Sequence, residues 1–240
     1  MQDLFINLLA SLIWFLLGLF VYHTSRLFIL IKPTKKLWNL YNQKNLIICV
    51  AASAQIDTGR YLRPTTGIGQ VRAIGYIIES LSAAYDVKIE NIFLSTDQVQ
   101  KQIEKDLIVL GGPKNNEISK LFLEKIKNLK IVQQNSDGIQ WLKNGEKTYA
   151  GLTENGVIIK DYGLIIRIEN PFSSINKTSF CLFTGCHTYG TIAAAKYFTE
   201  NYIKDIKIYT KKKKNIIILV ECDVINEYPT SLKMLEKHEF

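Results

Sequence analysis

The sequence predicts a layered α/β domain with a largely parallel sheet and a small β-hairpin insert, preceded by one N-terminal transmembrane helix. Three observations carry this expectation. Leu4 to Tyr22 reads LFINLLASLIWFLLGLFVY without a charged residue. From Asn45 onward, short β-branched runs alternate with segments whose apolar residues recur at helical spacing, the pattern of a sheet layered with helices. Between Lys130 and Ile168 the pattern breaks into short pieces punctuated by Asn-Gly pairs, the strongest short hairpin signal.

The first element is the apolar run. Its length gives about 28 Å of helix, close to the hydrocarbon thickness of a bilayer. A secretory signal would carry positive charge before the run and a small-residue cleavage site after it. Here the only charged side chain before it is Asp3, no Ala-x-Ala site follows, and Arg26, Lys32, Lys35 and Lys36 lie on its C-terminal side. That lysine and arginine bias predicts a single-pass protein of the inner (plasma) membrane with its C-terminal domain in the cytoplasm. A buried helix of a soluble protein is the competing reading, and an uninterrupted run this long at the N-terminus argues against it. The organisation expected is a transmembrane helix with its cytoplasmic extension over 1–31, a basic juxtamembrane linker over 32–44 broken by Pro33, with Trp38 at the headgroups, and an α/β domain over 45–240.

Within that domain, Asn45–Ala52 reads as a strand buried on both faces. Gly69–Tyr85 is a helix, Lys88–Leu94 a second strand, Asp97–Lys105 a short helix and Leu107–Leu110 a third strand. Asn116–Asn128 is a helix with Ile118, Leu121, Phe122 and Ile126 on one face. After the hairpin insert, Tyr162–Ile168 returns to the sheet and Phe180–Thr184 adds a core strand, followed by a helix from Thr191 to about Tyr202. Ile206–Thr210 and Asn215–Cys222 close the domain as antiparallel edge strands.

Composition narrows the function classes. The 240 residues are 47% hydrophobic and 22% charged, which is globular rather than disordered material. The net charge of +8, including the Lys211–Lys214 run, suits an anionic partner. No RNP, zinc-finger or basic-zipper pattern accompanies it, so nucleic acid ranks low. The four cysteines, Cys49, Cys181, Cys186 and Cys222, form no CxxC pair and read as reduced core thiols. There is no Walker A sequence, nucleophile elbow or metal-ligand cluster, so no metal or cofactor is expected beyond a nucleotide ligand.

Ligands of open α/β sheets bind at the carboxyl ends of the strands. Three strand ends here carry unusual turns. After the first comes a long segment holding Ser53, Asp57, Arg60, Arg63, Thr66, Gly67 and Gly69 ahead of a helix N-terminus, where glycine amides and two guanidinium groups suit a phosphate. Gly67-x-Gly69 is followed at the sixth position by Arg72, so the full dinucleotide fingerprint is absent. After the third comes Gly111-Gly112-Pro113, with Asn116 placed to cap the next helix. After the Phe180 strand comes Gly185-Cys186-His187-Thr188-Tyr189-Gly190-Thr191, where His187 and Tyr189 can stack on or bond to a base or ribose. Glu169 and Asn170 follow a strand and are expected at the same rim, whereas Asp161-Tyr162 precede one and are expected at the opposite end. His187, Glu169 and Asp57 are the candidate acids or bases. A mobile loop with solvated arginines, an ordinary Asn-Pro turn and a structural histidine are the competing explanations.

The series Gly111-Gly112-Pro113-x-x-Asn116, Tyr162-Gly163, Asn170-Pro171-Phe172 and Gly185 to Thr191 resembles a Rossmann-like module of bacterial proteins. Its Gly-Gly-Pro-x-x-Asn piece is similar to repeats of archaeal surface-layer proteins. The resemblance implies a Rossmann-like three-layer domain. The layout, one short transmembrane segment before such a domain, resembles the single-transmembrane effectors of bacterial antiphage signalling systems. It implies a homo-oligomer in which a nucleotide second messenger binds the cytoplasmic domain and the membrane helices assemble to breach the bilayer. Asn7 and Ser11 would then bond between helices. An anchored enzyme acting on a nucleotide or nucleoside and an anchored structural module without a ligand are the alternatives.

Overall fold

The computed structural model describes every residue except 1, 43–44, 53, 96, 136–137, 144, 175–176 and 205–214. The expected strand at Ile206–Thr210, the lysine run at 211–214 and Ser53 lie outside the described residues.

The chain opens with α1 (Gln2–Arg26), passes through a π-helical turn at Leu27–Ile31 and continues as α2 (Lys32–Trp38). Asp3–Trp38 is one helix, long and apolar enough to cross a membrane, and its most apolar stretch touches none of the domain. Pro33 does not break it. Proline lacks an N–H, and its ring crowds the carbonyl one turn back. The wider π turn just ahead, where Lys32 N–H donates to Leu27 O, leaves room for that ring. The linker expected over 32–44 is corrected accordingly, since residues 32–38 are helix, with Leu37 and Trp38 in the domain's core. Thr34, Leu37 and Trp38 share one face and are buried, while Lys35 points out. Trp38, expected at the headgroups, is fully buried against Phe183 and Phe198 and donates from Nε1 to Ser80 Oγ at 3.0 Å.

The domain runs β1 (Ile47–Val50), β2 (Ala54–Asp57), β3 (Leu62–Thr65), α3 (Ile68–Ser82), β4 (Ile92–Leu94), α4 (Asp97–Gln100), β5 (Leu107–Leu110), α5 (Glu117–Ile126), β6 (Val132–Asn135), β7 (Gly138–Trp141), β8 (Lys147–Tyr149), β9 (Leu152–Glu154), β10 (Val157–Glu169), β11 (Ser179–Gly185), α6 (Thr188–Lys196), β12 (Ile216–Ile225) and β13 (Tyr228–Glu239). The central sheet has the order β13-β12-β10-β11-β5-β1-β4, with β9 added to the start of β10. The β4, β1, β5 and β11 pairings are parallel, and the pairings of β10 with β11, β10 with β12 and β12 with β13 are antiparallel. The sheet is therefore mixed. β4, β1, β5, β11 and β12 point one way, β10 and β13 the other.

Successive strand residues face opposite sides, and each side has its own core. Ile48, Val50, Ile108 and Leu110 meet α2, α3 and α6 on one face. Cys49, Leu107, Val109 and Phe180 meet α5 and the β6-β7-β8 sheet on the other. Helix α3 buries Ala73, Ile77 and Leu81, and α5 buries Ile118, Phe122 and Ile126, each set one turn apart. Phe122 stacks flat on Phe180. β12 is not an edge. It is covered by β13, a strand that the apolar pattern does not announce because Lys233, Glu236 and Lys237 interrupt it. The two join at Asn226-Glu227, both with left-handed φ (50° and 58°), the backbone a two-residue hairpin requires. Asn155-Gly156 makes the same kind of turn between β9 and β10, so the insert expected from its Asn-Gly pairs is present.

The helix root sits at the end of the sheet where β1 and β5 begin. Asp106, fully buried at the start of β5, accepts from Tyr41 N at 3.0 Å, Asn42 N at 2.5 Å and Ser179 N at 2.6 Å. Arg167 of β10, also buried, donates to the carbonyls of Lys36 and Leu37 in the last turn of α2.

Candidate functional site

The opposite end of the sheet, where β1, β5 and β11 finish, is built from turns. After β1 the chain leaves to α3 on one face, and after β5 it leaves to α5 on the other. In open α/β sheets, ligands bind at a divergence of this kind. The N-termini of α3, α5 and α6 all lie at this rim; Asn116 caps α5, the Asp161 carboxylate accepts from the first turn of α6, and α3 has no side-chain cap.

The α3 side is tied together by Gln70, whose buried Oε1 accepts from Ala51 N at 2.6 Å. Gly111 follows β5 with φ +95°, a backbone that a side chain rarely adopts, and a Cβ there would fall 3.0 Å from Ala51 and 3.2 Å from Gln70 Nε2. Gly67 stands as the N-cap of α3 and offers no side-chain cap. Among the described residues, the buried hydroxyl of Thr66, just before it, has no hydrogen-bond partner. Two more such atoms lie at this rim, Thr184 Oγ1 and Gln134 Oε1, both beside Gly112. Asn116 is a latch. Its Oδ1 accepts from Ile118 N, Ser119 N and Ser95 Oγ, and its Nδ2 donates to Leu110 O. That binds the start of α5 to the ends of β4 and β5, so capping accounts for Asn116.

The α6 side centres on Asp161. Its carboxylate is fully buried and accepts from Tyr162 N (2.8 Å), His187 N (3.1 Å) and Gly190 N (2.6 Å). It caps α6 from a neighbouring strand, and its Oδ1 lies 3.3 Å from His187 Nδ1. Burial raises the Asp161 pKa above its usual value, opposed by the bonds from Gly190 and Tyr162 and by His187. The neighbouring thiol of Cys186 is pushed up to about 12 by burial and Asp161, and it donates to Tyr149 O at 3.3 Å.

The glycines of this turn have a packing role. A Cβ on Gly190 would lie 2.1 Å from Tyr162 O, one on Gly185 2.5 Å from Thr191 N, and one on Gly163 2.3 Å from Gly190 O. Helix α6 thus starts in direct backbone contact with β10 and β11. Gly69 completes the arrangement, since a Cβ there would meet Thr188 at 2.6 Å.

The residues expected at the rim divide into three groups. Thr66, Gly67, Gly69, Gly111, Gly112, Pro113, Asn116, Gly185, His187, Thr188, Tyr189, Gly190 and Thr191 do gather at this end of the sheet. Asp57, Arg60 and Arg63 lie on an exposed hairpin, β2-β3, where Asp57 Oδ1 accepts from Gly59 N at 2.7 Å. Glu169 and Asn170 are at the far end, a correction to their expected place. Because β10 is antiparallel to β11, it finishes where its neighbours begin. There Asn170 Nδ2 donates to Ile103 O and Lys105 O, each at 2.8 Å. The same reversal corrects Asp161 and Tyr162, which enter the site instead of facing away from it. A carboxylate inside the apolar run from Val157 to Ile168 was the available signal for Asp161. Gln70, Gln134 and Thr184 carried no comparable mark.

Compared with known proteins, the chain matches no family model, no curated protein and no solved structure.

Proposed function

We propose that this protein is a membrane-anchored sensor of an anionic nucleotide, a defence effector whose ligand rearranges or oligomerises its transmembrane helices and so disrupts the membrane. The domain is read as Rossmann-like. The strand order β4-β1-β5-β11, with the helices after β1 and β5 on opposite faces, supports this. The protein would sit in the inner membrane with the domain in the cytoplasm, as the basic residues on the C-terminal side of the apolar run suggest.

One observation carries the reading. The exposed apolar helix is rooted at one end of the sheet, through Arg167 and Asp106, and the glycine turns gather at the other. A bilayer around the helix would leave the rim facing the aqueous phase. β10 and α6 run between the two ends. β10 carries Asp161 at the rim and Arg167 at the root, and the π-helical continuation of α6 (Tyr197–Tyr202) places Phe198 against Trp38.

The test is calorimetry of the full chain in nanodiscs against cyclic oligonucleotides and NAD-derived nucleotides. Saturable binding that changes the oligomer size of the embedded protein is the expected result. Binding to none of them removes the reading.

A further inference from the structure

Of the three side chains that the sequence offers as acid or base, the structure keeps one at the rim. Asp57 closes a turn on the exposed hairpin, and Glu169 lies at the far end. His187 remains, and it has acquired a partner. Its Nδ1 faces the buried carboxylate of Asp161 at 3.3 Å, and three backbone N–H groups prevent that carboxylate from turning away. The ring occupies the space that a side chain at position 151 would need, since a Cβ on Gly151 would lie 2.3 Å from Cε1 and Nδ1. Among the described residues nothing bonds to Nε2, and the side chain is 40% exposed. An imidazole that donates from Nδ1 to a carboxylate carries its lone pair on Nε2. The ring is thus fixed in place with its basic nitrogen unused.

We propose that His187 is the general base of a hydrolytic site for phosphoric esters, with Asp161 as its positioning residue. The choice of a phosphoric ester rests on the nucleotide reading above. The catalytic geometry does not. In the step, Nε2 takes a proton from water as the water oxygen bonds to phosphorus and the bond from phosphorus to the leaving oxygen breaks. The proton then passes from Nε2 to that oxygen, releasing an alcohol and a phosphate with one ester bond fewer. Asp161 holds the tautomer and stabilises the transient imidazolium. No redox partner is required.

The experiment uses the full chain in detergent micelles with bis(p-nitrophenyl) phosphate as probe, reading nitrophenolate release, alongside thermal-shift binding of the nucleotides named above. The expected result is turnover by the wild type that falls about 100-fold or more in kcat, with KM little changed, in His187→Gln. Asp161→Asn and Gly151→Ala lower kcat in the same way, the second by displacing the ring without removing any reacting group. Added imidazole restores release to His187→Gly, which a purely structural histidine would not allow. Release that is absent from the wild type, or unchanged in His187→Gln, overturns the proposal. If nucleotides still bind while nothing is hydrolysed, this inference fails and the sensor reading survives. If neither occurs, both fail.

Discussion

At the scale of single residues, the rim is governed by a buried carboxylate and by close backbone contacts. Among the described residues no lysine or arginine pairs with the Asp161 carboxylate; its hydrogen bonds come from main-chain N–H groups and His187. Its pKa is raised above 3.8, chiefly by burial. A carboxyl raised on folding binds its proton more tightly in the folded state. Its contribution to stability is therefore full below the unfolded value and lost as pH rises through the folded one. Urea denaturation should show Asp161→Asn less stable than wild type, with a larger deficit at about pH 4 than at about pH 8. Equal deficits at both would show that the carboxyl is not raised. The glycines give a contrasting pair. Gly190→Ala forces a Cβ against Tyr162 O at 2.1 Å, where only backbone can yield, and should cost about 3 kcal/mol or more. Gly75→Ala, in the exposed middle of α3 with nothing within 4 Å, should add about 0.5–1 kcal/mol. Thermal denaturation of the two distinguishes crowding from mere loss of a glycine. His187 and the glycine turns were legible as unusual residues at strand ends. Asp161 was not assigned to them, because its contacts come from residues 26 and 29 positions away.

At the scale of elements, the junction of α2 with the domain is the informative case. Trp38 lies among Phe183, Phe198 and Ser80, so the membrane-length helix ends inside the core instead of on a flexible tether. Trp38→Ala should lower stability by about 3–5 kcal/mol, read as a fall in the urea midpoint, whereas an interfacial tryptophan would change little. The sequence showed apolar residues among lysines here, a pattern that suits a headgroup surface and a docked helix equally well. Elements with a strong period, such as α3, α5, β1 and β5, were readable because one apolar face repeats along a single segment. β13 was not, since an edge strand with polar residues on its open side carries little apolar signal.

For the whole molecule, the question is what surrounds the exposed helix. Leu12 and Leu16 are more than half exposed and touch no part of the domain's core. Arginine at the centre of a spanning helix costs about 2.5–3.5 kcal/mol on insertion scales. The double variant Leu12→Arg, Leu16→Arg should leave the carbonate-resistant membrane fraction while the circular dichroism of the domain is unchanged. Retention in that fraction would show that the helix does not hold the protein in the bilayer.

The sequence by itself determined what depends on one segment and its surroundings: an apolar helix of bilayer length, alternating strands and helices, the hairpin insert and the glycine turns. Only the tertiary structure decided which turns share an end of the sheet and where the long helix is rooted. The physical reason is the reversed direction of β10. Hydrophobic period reports how a segment is buried, but strand direction and register are set by hydrogen bonds to partners far along the chain. That reversal carries Asn170 away from the rim, brings Asp161 to His187, and places Arg167 beneath the last turn of the helix.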